Sequence, residues 1–529
     1  MRPATYFLET FGCQMNVLDS ELVDGQLRAL GLRAADSIRD ADVVLFNTCS
    51  VRQHAEDKVL SRLGHLKAVK RRRPELVVGV IGCMAERQKE DLFVAVPHLD
   101  LLCGPGELHR LPGLLEDAWN RHEQVAALAG SLSRRTAVLQ RAFEYDSVEE
   151  LDRSRPEAVG ERVLQAYVRV QRGCDKFCTY CIVPFVRGAE RSRPPENIVE
   201  EVRHLAARGC REVTLLGQTV NSYRYPENGH TVRLAKLLER VHAVDGLDRI
   251  RFVTNFPADW DEDIFRVLRD FPRLCPYLHI PAQSGSDRIL KAMKRGYTVA
   301  EYLRLMDTAR QYVPDLALAG DFIVGFCGET EADFQATVEL VRRVQYKSVF
   351  VFKYSPRPGT AADRGQADDV PMEVKAARNH ELLAVQSEIG LQQKRALVGT
   401  TVEVLVEGFG KRDVTQTPDA APAIETPQAP PARANPNPGR KSGASPPATC
   451  VAGSDGGSDR GGSHRRQLTG RTPGDLITVF DGDPALVGAL VRVRVEAATP
   501  LTLLGRLEFV LSPARAVADV GVTGLPIRA

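Results

Sequence analysis

No stretch of this chain approaches the roughly 18 apolar residues of a membrane-spanning helix. Its opening residues, Met1-Arg2-Pro3-Ala4-Thr5-Tyr6-Phe7-Leu8-Glu9, read as a first strand and not as the apolar core of a signal peptide. An excess of one charge is missing too. Lys and Arg number 70 against 68 Asp and Glu, leaving +2 over 529 residues, so any affinity for nucleic acid has to come from local patches. A disulfide framework lacks its usual setting, and 11 cysteines without an export signal point to metal or redox chemistry. A hydrophobic fraction of 43% and a charged fraction of 26% belong to soluble globular proteins. The length calls for about three or four domains.

Gly173-Cys174-Asp175-Lys176-Phe177-Cys178-Thr179-Tyr180-Cys181 sets three cysteines at C-x3-C-x2-C spacing. Three thiolates can hold three irons of a cubane [4Fe–4S] cluster and leave the fourth iron without a protein ligand. Ferredoxin-type clusters use four cysteines, so a triplet suits an open iron that takes a small molecule, as catalytic metal sites keep an open position. A zinc site or unrelated thiols fit the same spacing.

Before the triplet, apolar strands at 4–8, 42–47 and 76–81 alternate with helical patterns at 18–30, 52–72 and 86–96. This alternation predicts an α/β fold with a doubly wound parallel sheet over 1–145. Cys13, Cys49 and Cys83 each fall just after a strand, and loops at the carboxyl ends of parallel strands share one edge. They can converge as ligands of a second cluster; the alternative is three small buried hydrophobes. Cys103, Cys210, Cys275, Cys327 and Cys450 fit neither set and are expected to be buried or incidental. Lys67, Lys70, Arg71, Arg72 and Arg73 read as a solvated helix end, with RNA phosphate the minority reading. Residues 120–161 read as a connector.

From 160 to 395, strands expected at 166–171, 212–217, 249–254, 277–280, 316–322 and 348–353 alternate with six helical patterns. They predict a partial (βα)6 barrel whose chemistry sits at the carboxyl ends of its strands. Polar, glycine-containing segments follow those ends, including Leu216-Gly217-Gln218-Thr219 and Pro281-Ala282-Gln283-Ser284-Gly285-Ser286. Each alone is a turn sequence; together they ring one mouth, which suits an amino acid joined to a nucleoside.

At 396–512 alternating strands predict a small β-barrel, interrupted at 413–466 by an insertion. Nine prolines and no apolar periodicity between Asp413 and His464 predict disorder there.

The segments 11–16, 47–52, 82–87, 171–194, 215–223, 278–296 and 354–360 together resemble the radical S-adenosylmethionine (SAM) methylthiotransferases over nearly the whole chain except the insertion. The resemblance implies that Cys174, Cys178 and Cys181 hold the SAM-binding [4Fe–4S] cluster and that Cys13, Cys49 and Cys83 hold an auxiliary one. It places Tyr180 along the adenine of SAM, Gly217 and Gln218 near its amino group, Ser284 near its ribose and Gly325 near its adenine. It makes the last domain similar to the RNA-binding TRAM domain, with Lys411, Arg412 and Arg471 as candidate phosphate contacts.

The implied reaction is radical transfer of a methylthio group, using two SAM, to C2 of N6-(dimethylallyl)adenosine at position 37 of tRNA, beside the anticodon. Two alternatives stay within the family: threonylcarbamoyl-adenosine in tRNA, or an aspartate of a ribosomal protein. A non-catalytic iron–sulfur RNA-binding protein is the reading from another class. The implied setting is a cytoplasmic monomer served by a reductant protein and by sulfur or iron–sulfur delivery proteins, with no membrane. Two positions depart from the family pattern: Phe256 stands where histidine is more frequent, and Cys327 where proline is usual.

Overall fold

The computed structural model describes residues 4–50, 53–121, 123–129, 149, 151–152, 163–410 and 465–514. At the N-terminus six parallel strands, β1 (Thr5–Phe11), β2 (Arg33–Ala34), β3 (Val43–Thr48), β4 (Val77–Gly82), β5 (Leu101–Cys103) and β6 (Val125–Ala127), lie in the order β2-β1-β3-β4-β5-β6. β3 and β4 are buried along their whole length, as strands covered on both faces must be. Met15, Leu18 and Leu22 of the helix Gln14–Ala29 pack on one face. Val59, Leu63 and Leu66 of the helix Gln53–Arg72 pack on the other.

Several local expectations are corrected. β2, β5 and β6 span only two or three residues each, too few for a period-2 pattern to register. The helix expected from 18 begins at Gln14, immediately after Cys13. The helix expected over 86–96 is two short ones, Cys83–Gln88 and Asp91–Ala95, separated where Lys89 takes a φ of 53°. The supposed connector 120–161 contributes β6 and two buried carboxylates, Glu149 and Asp152; the remainder of its masked stretches lies outside the described residues.

In chain order the central region carries β7 (Gln165–Arg169), a short hairpin of β8 (Gln171–Arg172) and β9 (Arg191–Ser192), and then β10 (Glu212–Leu216). An exposed hairpin follows, β11 (Arg224–Glu227) and β12 (His230–Arg233). After it come β13 (Arg249–Phe252), β14 (Tyr277–His279), β15 (Ala317–Val324) and β16 (Ser348–Lys353). β7-β10-β13 and β14-β15-β16 are two parallel ladders. A parallel bridge between Ile250 and Leu274, and the Asn255 N–H donating to the His279 carbonyl at 3.1 Å, close the seam between them. Six parallel strands with helices outside make the expected partial barrel.

The long helix Met372–Arg395 packs against β16 and leads into a closed five-stranded barrel. Its strands are β17 (Thr401–Phe409), β18 (Arg466–Arg471), β19 (Ile477–Gly482), β20 (Leu490–Ala498) and β21 (Thr502–Ser512), in the order β17-β18-β19-β21-β20. Arg466 already pairs with Gly482, so the expected insertion ends before it; up to residue 464 the insertion lies outside the described residues, as do Lys411, Arg412 and Cys450. Among the described residues no helix is long and apolar enough to cross a membrane.

Buried arginines join the parts. Arg211 donates to the carbonyls of Gly488 (2.8 Å) and Pro513 (3.1 Å), and Arg251 to those of Thr472 and Pro473 (2.8 Å each). Arg169, at the end of β7, pairs with Asp19 of the N-terminal region at 2.9 Å and with Asp152 at 2.7 Å.

Candidate metal-cluster and cofactor site

β1, β3 and β4 are neighbours in the N-terminal sheet, and Cys13, Cys49 and Cys83 follow them at the same edge. Adjacency of those strands is what brings residues far apart in sequence to one place. Close backbone approach makes room for them. A Cβ on Gly12 would stand 2.5 Å from that of Cys49, and one on Gly82, whose φ is 87°, would run into the Asn47 amide. Beneath the thiols the side chains of Asn16 and Asn47 bond each other at 2.9 Å, and Asn47 also donates to Ser20 Oγ at 2.9 Å.

Cys49 shares hydrogen bonds with both other thiols. That sharing, with the Arg187 guanidinium nearby, holds Cys13 and Cys83 below the ordinary thiol range against the opposing effect of burial. Cys49 itself is held well above that range. Arg187 is fixed by a 2.8 Å pair to Asp19.

The second trio lies in the loop of the β8–β9 hairpin. Gly173 has a φ of 66°, and any side chain there would strike the Ala189 carbonyl. Cys174 N–H donates to Gly188 O at 3.1 Å, while Thr179 ties the loop to the Ala292 and Met293 carbonyls at 2.9 and 3.1 Å. Cys174 and Cys178 are buried and Cys181 is half-buried. Burial pushes the thiols of Cys174 and Cys181 up to about 11 and about 12. Cys83 packs against Ile182 and Val186, so only the short segment after Cys181 separates the two trios.

Among the described residues no three His, Cys, Asp or Glu side chains are gathered tightly enough to hold a single metal ion. A cubane spreads three thiolates over three irons, so neither trio needs to meet at one point. The donors fit such a group: thiols alone, in glycine-shaped loops, with a buried arginine beside each trio. At the second trio this is Arg295, which donates to Cys178 Sγ at 3.3 Å. No sequence pattern singled it out.

The barrel mouth also contains polar atoms with no partner among the described residues. Both ends of the Gln171 side-chain amide, Gln283 Oε1 and Asn255 Oδ1 are buried and unbonded, an arrangement costing about 1–3 kcal/mol per group unless a ligand supplies the bond. Thr254 and Gln283 hold φ of 68° and 72° at the ends of β13 and β14, uncommon for a β-branched residue above all. Gln171 lies against Gly217, where a Cβ would meet its Oε1 at 3.2 Å. An amide and a backbone edge are therefore presented together, which fits a zwitterionic ligand.

The individual SAM candidates fall as follows. Tyr180 packs edge-on to Phe326, with centroids 6.4 Å apart, and its hydroxyl meets Arg295 at 3.4 Å. Gly217 and Gln218 follow β10, buried and half-buried. The Ser284 hydroxyl is fully buried against Thr337 (3.4 Å) and accepts from Ser286 N–H. Gly325 N–H donates to Glu329 at 2.6 Å, and Lys375 covers its α-carbon. Among the RNA candidates only Arg471 is described; it pairs with Asp475 at 2.8 Å and with Glu407 at 3.5 Å. In the basic run, Lys70 pairs with Asp100 at 2.8 Å and Arg73 with Asp42 at 3.1 Å. Cys103, Cys210, Cys275 and Cys327 are buried and belong to neither trio; Cys327 sits with Phe326 and Tyr354 in a cluster against which Tyr180 packs. Phe256 is buried with its backbone clasped by Asn221.

The family model described as Radical SAM superfamily matches residues 168–341, and the one described as Uncharacterized protein family UPF0004 matches residues 5–104. The tRNA-2-methylthio-N(6)-dimethylallyladenosine synthase of Rhodopirellula baltica is 43% identical over 522 residues, covering 98% of each chain. That of Porphyromonas gingivalis is 38% identical over 504 residues, covering 95% of this chain and 94% of the relative. That of Carboxydothermus hydrogenoformans is 39% identical over 497 residues, covering 94% and 97%.

Proposed function

The chain belongs to the tRNA-2-methylthio-N(6)-dimethylallyladenosine synthases, and from that premise we propose how its own residues divide the work. It is a radical SAM methylthiotransferase that acts on N6-dimethylallyladenosine in tRNA, with SAM and two [4Fe–4S] clusters as cofactors. Cys174, Cys178 and Cys181 would hold the SAM-binding cluster, and Cys13, Cys49 and Cys83 the auxiliary one. Bound there, the clusters and SAM supply one-electron cleavage of SAM to a carbon radical and a sulfur that is methylated and passed to C2.

The protein's part is placement. Cys83 of one trio packs against Ile182 and Val186, which directly follow the other, so radical generation and sulfur delivery would take place near one another. The Gln171 amide and the amide oxygens of Gln283 and Asn255 offer unpaired buried atoms to SAM, joined by Tyr180, Gly217 and Gln218; Ser284 and Gly325 shape the wall behind them. Apolar neighbours such as Phe256 and Phe326 exclude water, which protects a radical from side reactions. The terminal barrel, with Lys411, Arg412 and Arg471, would steer the tRNA so that the adenosine beside the anticodon reaches the mouth. A reductant protein, a sulfur or iron–sulfur donor and a monomeric state complete the proposal.

The observation that carries this reading is the edge shared by β1, β3 and β4, which gathers three thiols next to the triplet loop. Mass spectrometry of nucleosides from total tRNA, with and without this gene, tests it. Loss of the 2-methylthio group with N6-dimethylallyladenosine accumulating is expected, and a Cys49→Ala copy should fail to restore the product while its purified protein still releases 5′-deoxyadenosine from SAM. Full methylthio product from Cys49→Ala would overturn the assignment of two clusters.

A further inference from the structure

Arg295 is 6% exposed and every polar contact it makes is to a neutral group or a thiol. Its Nη1 donates to Cys178 Sγ at 3.3 Å and to the Tyr180 hydroxyl at 3.4 Å. Its Nε donates to the Tyr297 hydroxyl at 3.0 Å and its Nη2 to the Pro281 carbonyl at 3.1 Å. The guanidinium lies 4.6 Å from the centroid of the Phe256 ring and 5.4 Å from that of Tyr297. No carboxylate among the described residues pairs with it. A buried cation without a counter-charge is costly, and of the groups it touches the Cys178 sulfur is the one that becomes anionic as a cluster ligand.

Everything around Arg295 fixes its fork. Tyr297 is itself anchored, donating to the Ala282 carbonyl at 2.8 Å. Phe256 is clasped by Asn221 through two backbone hydrogen bonds of 2.7 and 2.8 Å. Its ring also has Lys176 within 5.3 Å, and Lys176 belongs to the same cysteine loop. The aromatic ring at 256 therefore has two cations within cation–π distance, Lys176 of the loop and Arg295, which gives the departure at this position a physical role.

We infer that Arg295 is a positioning residue that orients Cys178 and Tyr180 and, as the counter-charge of the triplet, favours the reduced state of the cluster bound there. The inference rests on the assignment of that cluster to Cys174, Cys178 and Cys181. Adding one electron makes the cluster with its three thiolates more negative, and a fixed guanidinium hydrogen-bonded to one of those sulfurs stabilises the added charge; hydrogen bonds to sulfur and burial are among the protein's means of setting such potentials. Arginine is suited to the place because its fork serves sulfur, phenol and carbonyl together, which a lysine ammonium on a flexible stem cannot match.

A redox titration of the reconstituted full chain, followed by electron paramagnetic resonance, tests this in a background where Cys13, Cys49 and Cys83 are alanine so that only the triplet contributes. Arg295→Gln should shift the reduction equilibrium toward the oxidised state by about tenfold, equivalent to ~59 mV for a one-electron couple. Arg295→Lys, which keeps the charge, should fall between the two. The potentials are read without SAM, so that a change in how Tyr180 meets SAM does not enter them; SAM affinity is measured separately, by equilibrium binding to the oxidised protein. Unchanged potentials in both variants overturn the inference, and a loss of SAM affinity at unchanged potential assigns the guanidinium to SAM instead. If Arg295→Gln assembles no cluster, the potential of Arg295→Lys decides. Absence of any four-iron signal from the unsubstituted triplet overturns the cluster assignment itself, and the inference with it.

Discussion

Glu86 shows how one side chain records its surroundings. It is 2% exposed in the helix that starts at Cys83, and one oxygen accepts from Ala129 N–H at 3.0 Å. Burial raises its pKa from 4.5 to about 7. Between those values the folded chain keeps a proton that the unfolded chain has released, so folding stability falls as pH rises through that window. The loss amounts to roughly 3 kcal/mol once both states are ionised. Glu86→Gln keeps an acceptor for Ala129 without the charge. Its melting temperature should match that of the unsubstituted protein at pH 5 and exceed it at pH 8. Equal melting temperatures at both values would mean that Glu86 is already solvated in the folded chain.

At the scale of elements, function sits in strand-to-helix junctions. Gly82 ends β4 with a φ of 87° and its α-carbon faces the Asn47 amide; Cys83 then opens a helix. Gly82→Ala combines a strained backbone with a steric conflict inside the Asn16–Asn47 pair, displacing Cys83 from its trio. Iron analysis after reconstitution should show about half the iron of the unsubstituted chain, the share of one of two four-iron clusters, with SAM cleavage retained. The junction was legible in the residues Ile81-Gly82-Cys83, since glycine before a cysteine at a strand end marks a tight approach. The short strands β2, β5 and β6 were not, because two or three residues take their extended shape from neighbours, not from any pattern of their own.

For the whole molecule, the charged seam between the N-terminal sheet and the barrel matters most. Asp19, buried in the helix after Cys13, pairs with both Arg169 and Arg187. Asp152 holds Arg169 and Arg172, and Arg193 is shared between Glu149 and Glu201. Removing one partner from such a network strands buried charge, at about 3–5 kcal/mol. Asp19→Ala should lower stability by that order in urea denaturation. It should also loosen Arg187 and so disturb the auxiliary trio without touching a ligand. Unaltered stability would show that the arginines find other partners.

The two cysteine trios, the parallel sheet, the six-unit barrel and the small terminal barrel could be read from the sequence, because each depends on local periods and on residues at fixed offsets from strand ends. The family followed from motif segments that span nearly the whole chain. What only the tertiary structure decided were meetings between residues distant in sequence. Arg295 lies 117 residues from Cys178, and Asp19 lies 150 residues from Arg169. The unpaired amide of Gln171 and the unpaired amide oxygens of Gln283 and Asn255 become notable only once burial is known. Periodicity reports which face a residue occupies. Which opposite charge, thiol or ring it meets there depends on how separate elements pack, and no local pattern carries that information.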